Sequence, residues 1–123
     1  MYPADLKYTN DHEWIRVSGD QGQVGITEYA QKQLGDVVYV ELPEVGRTVS
    51  RGETLGTIES VKAVSEIFSP VSGEIVSVNA ALKDSPETIN SDPHGTWMVT
   101  IRLADLAETA ALLDSAQYAD VVK

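Results

Sequence analysis

The sequence predicts a mainly β protein, a single domain over residues 1–123 with short helices at its periphery and its C-terminus. Three observations predict it. Short runs rich in Val, Ile, Thr, Tyr and Trp recur between Trp14 and Leu103, each bounded by Gly, Pro, Asn, Asp or Ser. Val49-Ser50-Arg51-Gly52-Glu53 is echoed by Val71-Ser72-Gly73-Glu74 with one residue fewer, and Gly52 and Gly73 lie almost equidistant from Lys62. Matching turn-plus-strand units of this kind arise when two similar halves pair and their connecting hairpin falls at the midpoint. After Leu103 the apolar residues change to a spacing of three and four, which is helical.

In chain order, residues 1–10 hold Pro3 and run into the turn-prone Thr9-Asn10-Asp11, so they read as an irregular lead-in, with order expected from Glu13. Trp14–Val17 and Gln23–Ile26 are β-prone and separated by Ser18-Gly19-Asp20-Gln21-Gly22, which predicts a hairpin. Thr27 is placed to cap a short helix from Glu28 to Leu34, and Gly35 to end it. Val37–Leu42 is almost continuously apolar, the pattern of a strand buried on both faces, and Pro43 closes it. Thr54–Ile58, Glu66–Phe68 and Gly73–Val78 are further strands, the first two flanking the Lys62 segment. Leu82–Pro93 reads as a long polar loop and Trp97–Leu103 as the last strand. Ala104–Leu113 is predicted as an amphipathic helix and Ser115–Val122 as a second, so that 104–122 caps an open side of the β core.

Composition narrows the function. A net charge of −10, with acidic residues spread from Asp5 to Asp120, excludes the basic footprint that nucleic acids and anionic membranes require. With no run of 18 apolar residues and no basic leader, the chain reads as cytoplasmic. Absence of cysteine removes disulfides, thiolate metal sites and thiol nucleophiles, so any redox chemistry must come from an added group. His12 and His94 are far apart and show no metal-ligand spacing, so no metal is expected. The glycines are dispersed and form no phosphate cradle.

What remains is Lys62, with no other lysine or arginine between Arg51 and Lys83. The bland reading is a solvated surface lysine. The sharper one is a covalent attachment site at a hairpin tip, with the small residues Ser60, Ala63 and Ser65 leaving it open to a modifying enzyme. A catalytic Schiff-base role is the weakest of the three, because a nucleophilic lysine needs burial or neighbouring positive charge, and Glu59 and Glu66 instead stabilise the ammonium.

Glu59-Ser60-Val61-Lys62-Ala63-Val64-Ser65, followed by Ser69-Pro70-Val71-Ser72-Gly73-Glu74, resembles the lipoylation segment of the H proteins of the glycine cleavage system. The resemblance extends through Tyr8-Thr9-Asn10-Asp11-His12-Glu13-Trp14, Val24–Gln31, Leu34–Pro43 and Asn90-Ser91-Asp92-Pro93, in the family's order, and covers about Tyr8 to Tyr118. It implies the barrel-sandwich hybrid of lipoyl and biotinyl carriers, and a protein that is not itself an enzyme. Lys62 would carry lipoate in amide linkage, placed there by a lipoate-attaching enzyme, and the dithiolane would bring the sulfurs that the chain lacks. The implied partners are a pyridoxal-phosphate glycine decarboxylase that loads an aminomethyl group, a folate-dependent aminomethyltransferase that unloads it, and dihydrolipoyl dehydrogenase that reoxidises the dithiol. An aminomethyl group is a protonated amine at neutral pH, so carboxylates beside the arm would hold it. Glu13 and Glu66 are the first candidates, then Asp11 and His12; the alternatives are a strand-face charge for Glu66 and ordinary packing for His12.

One stretch departs from the family pattern, which has an aromatic residue with glycine and a further glycine just before the tryptophan: this chain has His94-Gly95-Thr96-Trp97 and is one residue shorter. Val61 and Ala63, where a biotin acceptor has methionines, disfavour biotin. A lipoyl domain of a 2-oxoacid dehydrogenase would show Asp-Lys-Ala and a linker to further domains. A free-standing lipoate relay and a plain interaction domain with an unmodified lysine remain as readings of other classes.

Overall fold

The computed structural model describes residues 2–122. Among these residues nine strands form two sheets: β1 (Lys7–Tyr8), β2 (Glu13–Ser18), β3 (Gln21–Ile26), β4 (Val37–Glu41), β5 (Thr48–Val49), β6 (Thr54–Ser60), β7 (Val64–Phe68), β8 (Gly73–Val78) and β9 (Val99–Leu103). The larger sheet runs β1-β2-β3-β9-β8-β5 and the smaller β4-β6-β7, and every pairing is antiparallel. Ile15, Val24, Ile75 and Ile101 of the larger sheet meet Val40, Ile58 and Ile67 of the smaller in one continuous core. In β6, Ile58 and Ser60 turn inward while Glu59 between them faces out, as alternation requires, and a register irregularity between Thr54 and Gly56 lets Leu55 join the same core.

The echo in the sequence is a spatial pairing. Val49 stands opposite Gly73 between β5 and β8, while Gly52 N–H donates to the Ser69 carbonyl and Ser69 N–H to that of Glu53, each at 2.8 Å. A side chain at position 73 would run into the Arg102 backbone carbonyl, so glycine is required where the halves close. Helix α1 (Glu28–Leu34) lies where its caps predict: Thr27 Oγ1 accepts from Ala30 N–H, and Gly35, at φ 78°, donates to Gln31.

Five expectations are corrected. The segment 1–10 is not uniformly irregular: β1 pairs with β2, and Leu6 and Tyr8 are buried with Trp14 and Tyr118 in a second apolar cluster. β4 is not buried on both faces. It is an edge strand with a bulge between Val37 and Tyr39, so Val38 and Tyr39 are half exposed while Val37 and Val40 enter the core. Leu82–Pro93 is not a plain polar loop, since a 3-10 turn (Ala80–Lys83) and helix α2 (Thr88–Ser91) bury Leu82 and Ile89 as anchors. Ala104–Leu113 is not an α-helix but a 3-10 segment over Leu106–Ala111 with no buried residue. Leu106 points to solvent there, leaving no apolar stripe to hold an α-helical face, and the Asp105 and Thr109 side chains bond the local backbone instead. The last strand also starts later than expected, at Val99. Helix α3 (Ser115–Val121) forms as predicted behind an Asp114–Gln117 capping box and buries Tyr118.

Candidate functional site

The β6–β7 hairpin turns at Val61-Lys62-Ala63, so Lys62 stands at its tip, exposed. Ser60 holds the turn from beneath. Its N–H donates to the Ala63 carbonyl (2.8 Å), and its Oγ accepts from the N–H groups of Ala63 (3.0 Å) and Lys62 (3.3 Å). A serine here therefore supplies the turn with a side-chain bridge that alanine would lack. Beside the tip, Val61 N–H donates to the Asp36 carbonyl (3.0 Å) in the loop between α1 and β4. A Cβ placed on Gly35 would sit 3.4 Å from Lys62 Cε, so the lysine's aliphatic stem passes over that glycine. The ion pairs of the described residues join Arg16 to Asp5, Lys32 to Glu28, Arg47 to Glu53 and Arg102 to Glu74, and none takes Lys62.

Antiparallel register sets the surroundings. Tyr39, Glu59 and Val64 form one exposed row across the small sheet, and Glu41, Thr57 and Glu66 the next, with Glu41 and Glu66 exposed. The outer face beside Lys62 is thus acidic and apolar.

At the far end of β7 a cleft of about 170 Å³ is lined by Thr9, Asp11, Glu13, Arg51, Phe68 and Leu112 among others. Glu13 is 1% exposed. Its Oε1 accepts from Thr9 Oγ1 (2.7 Å) and its Oε2 from Phe68 N–H (3.1 Å), and burial pushes its carboxyl up to about 7 against those two stabilising bonds. Of the four residues expected near a carried group, Asp11 and Glu13 share this cleft; Glu66 faces out from β7 and His12 turns elsewhere. His12 adopts φ 70°, lies tilted against Tyr29 (4.5 Å between ring centres, 39° between planes) and shares a 2.8 Å hydrogen bond through Nδ1 with the Tyr118 hydroxyl. Burial lowers its proton affinity. The Tyr118 hydroxyl also meets Thr27 Oγ1 at 2.7 Å, linking α3 to the cap of α1.

The shortened stretch before Trp97 has a structural use. His94 Nε2 accepts from Glu28 N–H (3.2 Å) in the first turn of α1, and the Pro93 carbonyl accepts from Trp14 Nε1 (3.0 Å). Sequence reasoning gave no role to Thr9, Phe68 or Asn90. Thr9 was legible as a turn former only, and Asn90 only as part of a motif.

A lysine fastened by its backbone at a hairpin tip of a two-sheet β fold, exposed and with its amine outside every ion pair of the described residues, is an arrangement that fits a carrier of a covalently attached group. Comparison with known proteins specifies which. The family model described as "Glycine cleavage H-protein" matches residues 6–123. Relatives named glycine cleavage system H protein include those of Anaeromyxobacter sp. strain K (56% identical, 94% of this chain and 91% of that one), Burkholderia ambifaria (54%, 98% and 96%) and Bacteroides thetaiotaomicron (52%, 98% and 97%). A crystal structure of a glycine cleavage system H protein from Mycobacterium marinum superposes with a TM-score of 0.89 at 45% identity, covering 97% of each chain. The chain belongs to the glycine cleavage H-protein family. The family consists of lipoyl carriers, and the cofactor of this chain is lipoate.

Proposed function

We propose that Lys62 holds the lipoate, in amide linkage through Nζ, and that the protein acts as a non-catalytic cytoplasmic carrier. The observation that carries this reading is the tip: an exposed amine whose backbone is held on two sides. An enzyme that acylates a lysine brings its own activation and needs the amine reachable in a fixed frame. A primary amine is also the donor that an amide link to the lipoate carboxyl requires. Held on Lys62, lipoate would supply a ring disulfide able to accept a carbon unit reductively and, after its release, a dithiol to be reoxidised, which implies a pyridoxal-phosphate glycine decarboxylase, a folate-dependent aminomethyltransferase and dihydrolipoyl dehydrogenase around the carrier. Those three proteins and a lipoate-attaching enzyme are the proposed partners. A net charge of −10 supports protein partners over nucleic acid or an anionic membrane, and no helix among the described residues is long and apolar enough to cross a membrane.

Glu13 and Asp11, which share the cleft beside β7, together with Glu66 on the same strand's outer face and His12, are the proposed contacts for the carried amine. The test of the attachment site is intact mass after incubation with lipoate, ATP and a lipoate-attaching ligase. One lipoyl addition that Lys62→Ala abolishes is expected; no addition to the wild-type chain, or an addition that survives the substitution, overturns the assignment. Glycine-dependent exchange of carbon dioxide with the decarboxylase distinguishes this carrier from a lipoate relay serving other enzymes.

A further inference from the structure

Beyond the last β4–β6 pair, Val37 opposite Ser60, the tip is held sideways by a backbone bond from Val61 N–H to the Asp36 carbonyl. Asp36 lies in an exposed connection, and what fixes its carbonyl comes from a distant part of the chain. Asn90, 55 residues from Gly35 in sequence, donates from Nδ2 to the Gly35 carbonyl (2.8 Å) and accepts at Oδ1 from Val37 N–H (2.8 Å). The two bonds straddle Asp36. The amide orientation is unambiguous, because the reverse would set an NH₂ against an N–H and an oxygen against a carbonyl. Asn90 is itself fixed by α2, where its neighbour Ile89 is 1% exposed and its own N–H donates to the Glu87 carbonyl (3.0 Å). Gly35, at φ 78°, carries the loop beneath the lysine stem with no Cβ in the way.

We propose that Asn90 is a positioning residue for Lys62: by clamping the Gly35–Val37 loop it fixes the carbonyl from which the hairpin tip hangs, and so sets how the lysine is presented to the enzyme that acylates it. The inference rests on the reading of Lys62 as the attachment site. Asn90 touches neither the lysine nor the ligase; it acts through Asp36 and Val61. Without the clamp the tip samples more conformations, and a ligase that binds one of them meets it at a lower population. Apparent affinity falls by that fraction, while the transfer step within the complex is unaltered. The signature is therefore in KM and not in kcat.

The experiment compares the full-length wild-type chain with Asn90→Ala and the isosteric Asn90→Asp, which keeps the acceptor but sets a carboxylate against the Gly35 carbonyl. Lipoylation by a lipoate-attaching ligase is followed by intact mass over a range of carrier concentration, and hydrogen exchange is measured at the Val61 and Met98 amides. Both variants are expected to raise KM by about tenfold with kcat within about twofold. They are also expected to speed exchange at Val61 about tenfold while Met98, which donates to Val24 in the large sheet, is unchanged. Unchanged KM and unchanged Val61 exchange in either folded variant overturn the proposal, as does faster exchange at both amides, which would mark a loss of global stability. Failure of the wild-type chain to acquire lipoate at Lys62 instead overturns the attachment reading itself, so the two failures are distinguishable.

Discussion

The carboxyl group of Glu13 lies 1% exposed between the Thr9 hydroxyl and the Phe68 amide, where burial raises its pKa from 4.5 to about 7. The folded chain therefore binds this proton more tightly than the unfolded chain. Between pH about 4.5 and 7 the native state holds the larger share of protons, so the stability linked to Glu13 is fully present below that window and lost as pH rises through it. The difference amounts to ~3 kcal/mol. Urea unfolding of wild-type and Glu13→Gln at pH 5 and pH 8 should show a larger drop for the wild-type, and equal drops would refute the assignment. The same residue is a proposed contact for the carried group. A protonated amine gains most from a carboxylate that is short of solvent, so Glu13→Gln should shorten the lifetime of the loaded carrier more than Glu66→Gln on the exposed face, and an unchanged lifetime removes either as a contact. Glu13 was legible in the sequence as a family position; its burial was not, because Phe68 lies 55 residues away.

At the scale of elements, α1 was readable to the residue because its determinants are local: Thr27 before it, Glu28 in its first turn, Gly35 after it. Tertiary structure adds a second use for the cap. Thr27 is fully buried and its hydroxyl joins both Ala30 N–H and the Tyr118 hydroxyl, so one side chain closes a helix and docks the C-terminal helix. Thr27→Ala should cost about 2 kcal/mol in chemical unfolding, the sum of a lost cap and a lost buried hydrogen bond. Thr27→Ser should recover most of it; a serine variant as weak as the alanine would assign the loss to the methyl group and not the hydroxyl. β4 shows the opposite case. Its apolar run looked doubly buried, yet a bulge at Val38 and an edge position turn Val38 and Tyr39 outward beside Lys62, and no local pattern records a strand's place in its sheet.

For the whole molecule the dominant quantity is charge. Nineteen acidic against nine basic residues give −10, and the acylation proposed for Lys62 would remove one more positive charge and bring it to −11. Self-repulsion of this size destabilises the compact state and is screened once the Debye length falls to a few ångströms. Thermal unfolding at pH 7 should therefore shift upward by a few degrees between about 0.05 and 0.5 M NaCl. A midpoint that falls with salt would mean that the four surface ion pairs outweigh the repulsion.

The sequence by itself determined the mainly β class, the hairpin whose tip carries Lys62, the pairing of the two echoed units, the capped helix α1 and the place of α3, because alternation, turn residues and caps act over a few neighbours. Only the tertiary structure decided that Leu6 and Tyr8 belong to a core, that Leu82 and Ile89 anchor an apparent polar loop, and that 106–111 winds as a 3-10 segment. It also decided that Glu13 is sealed against Phe68 and that Asn90 braces the loop beneath Lys62. Each of these depends on a partner brought close by folding, and a pattern read along the chain carries the identity of such a residue but not what it will touch.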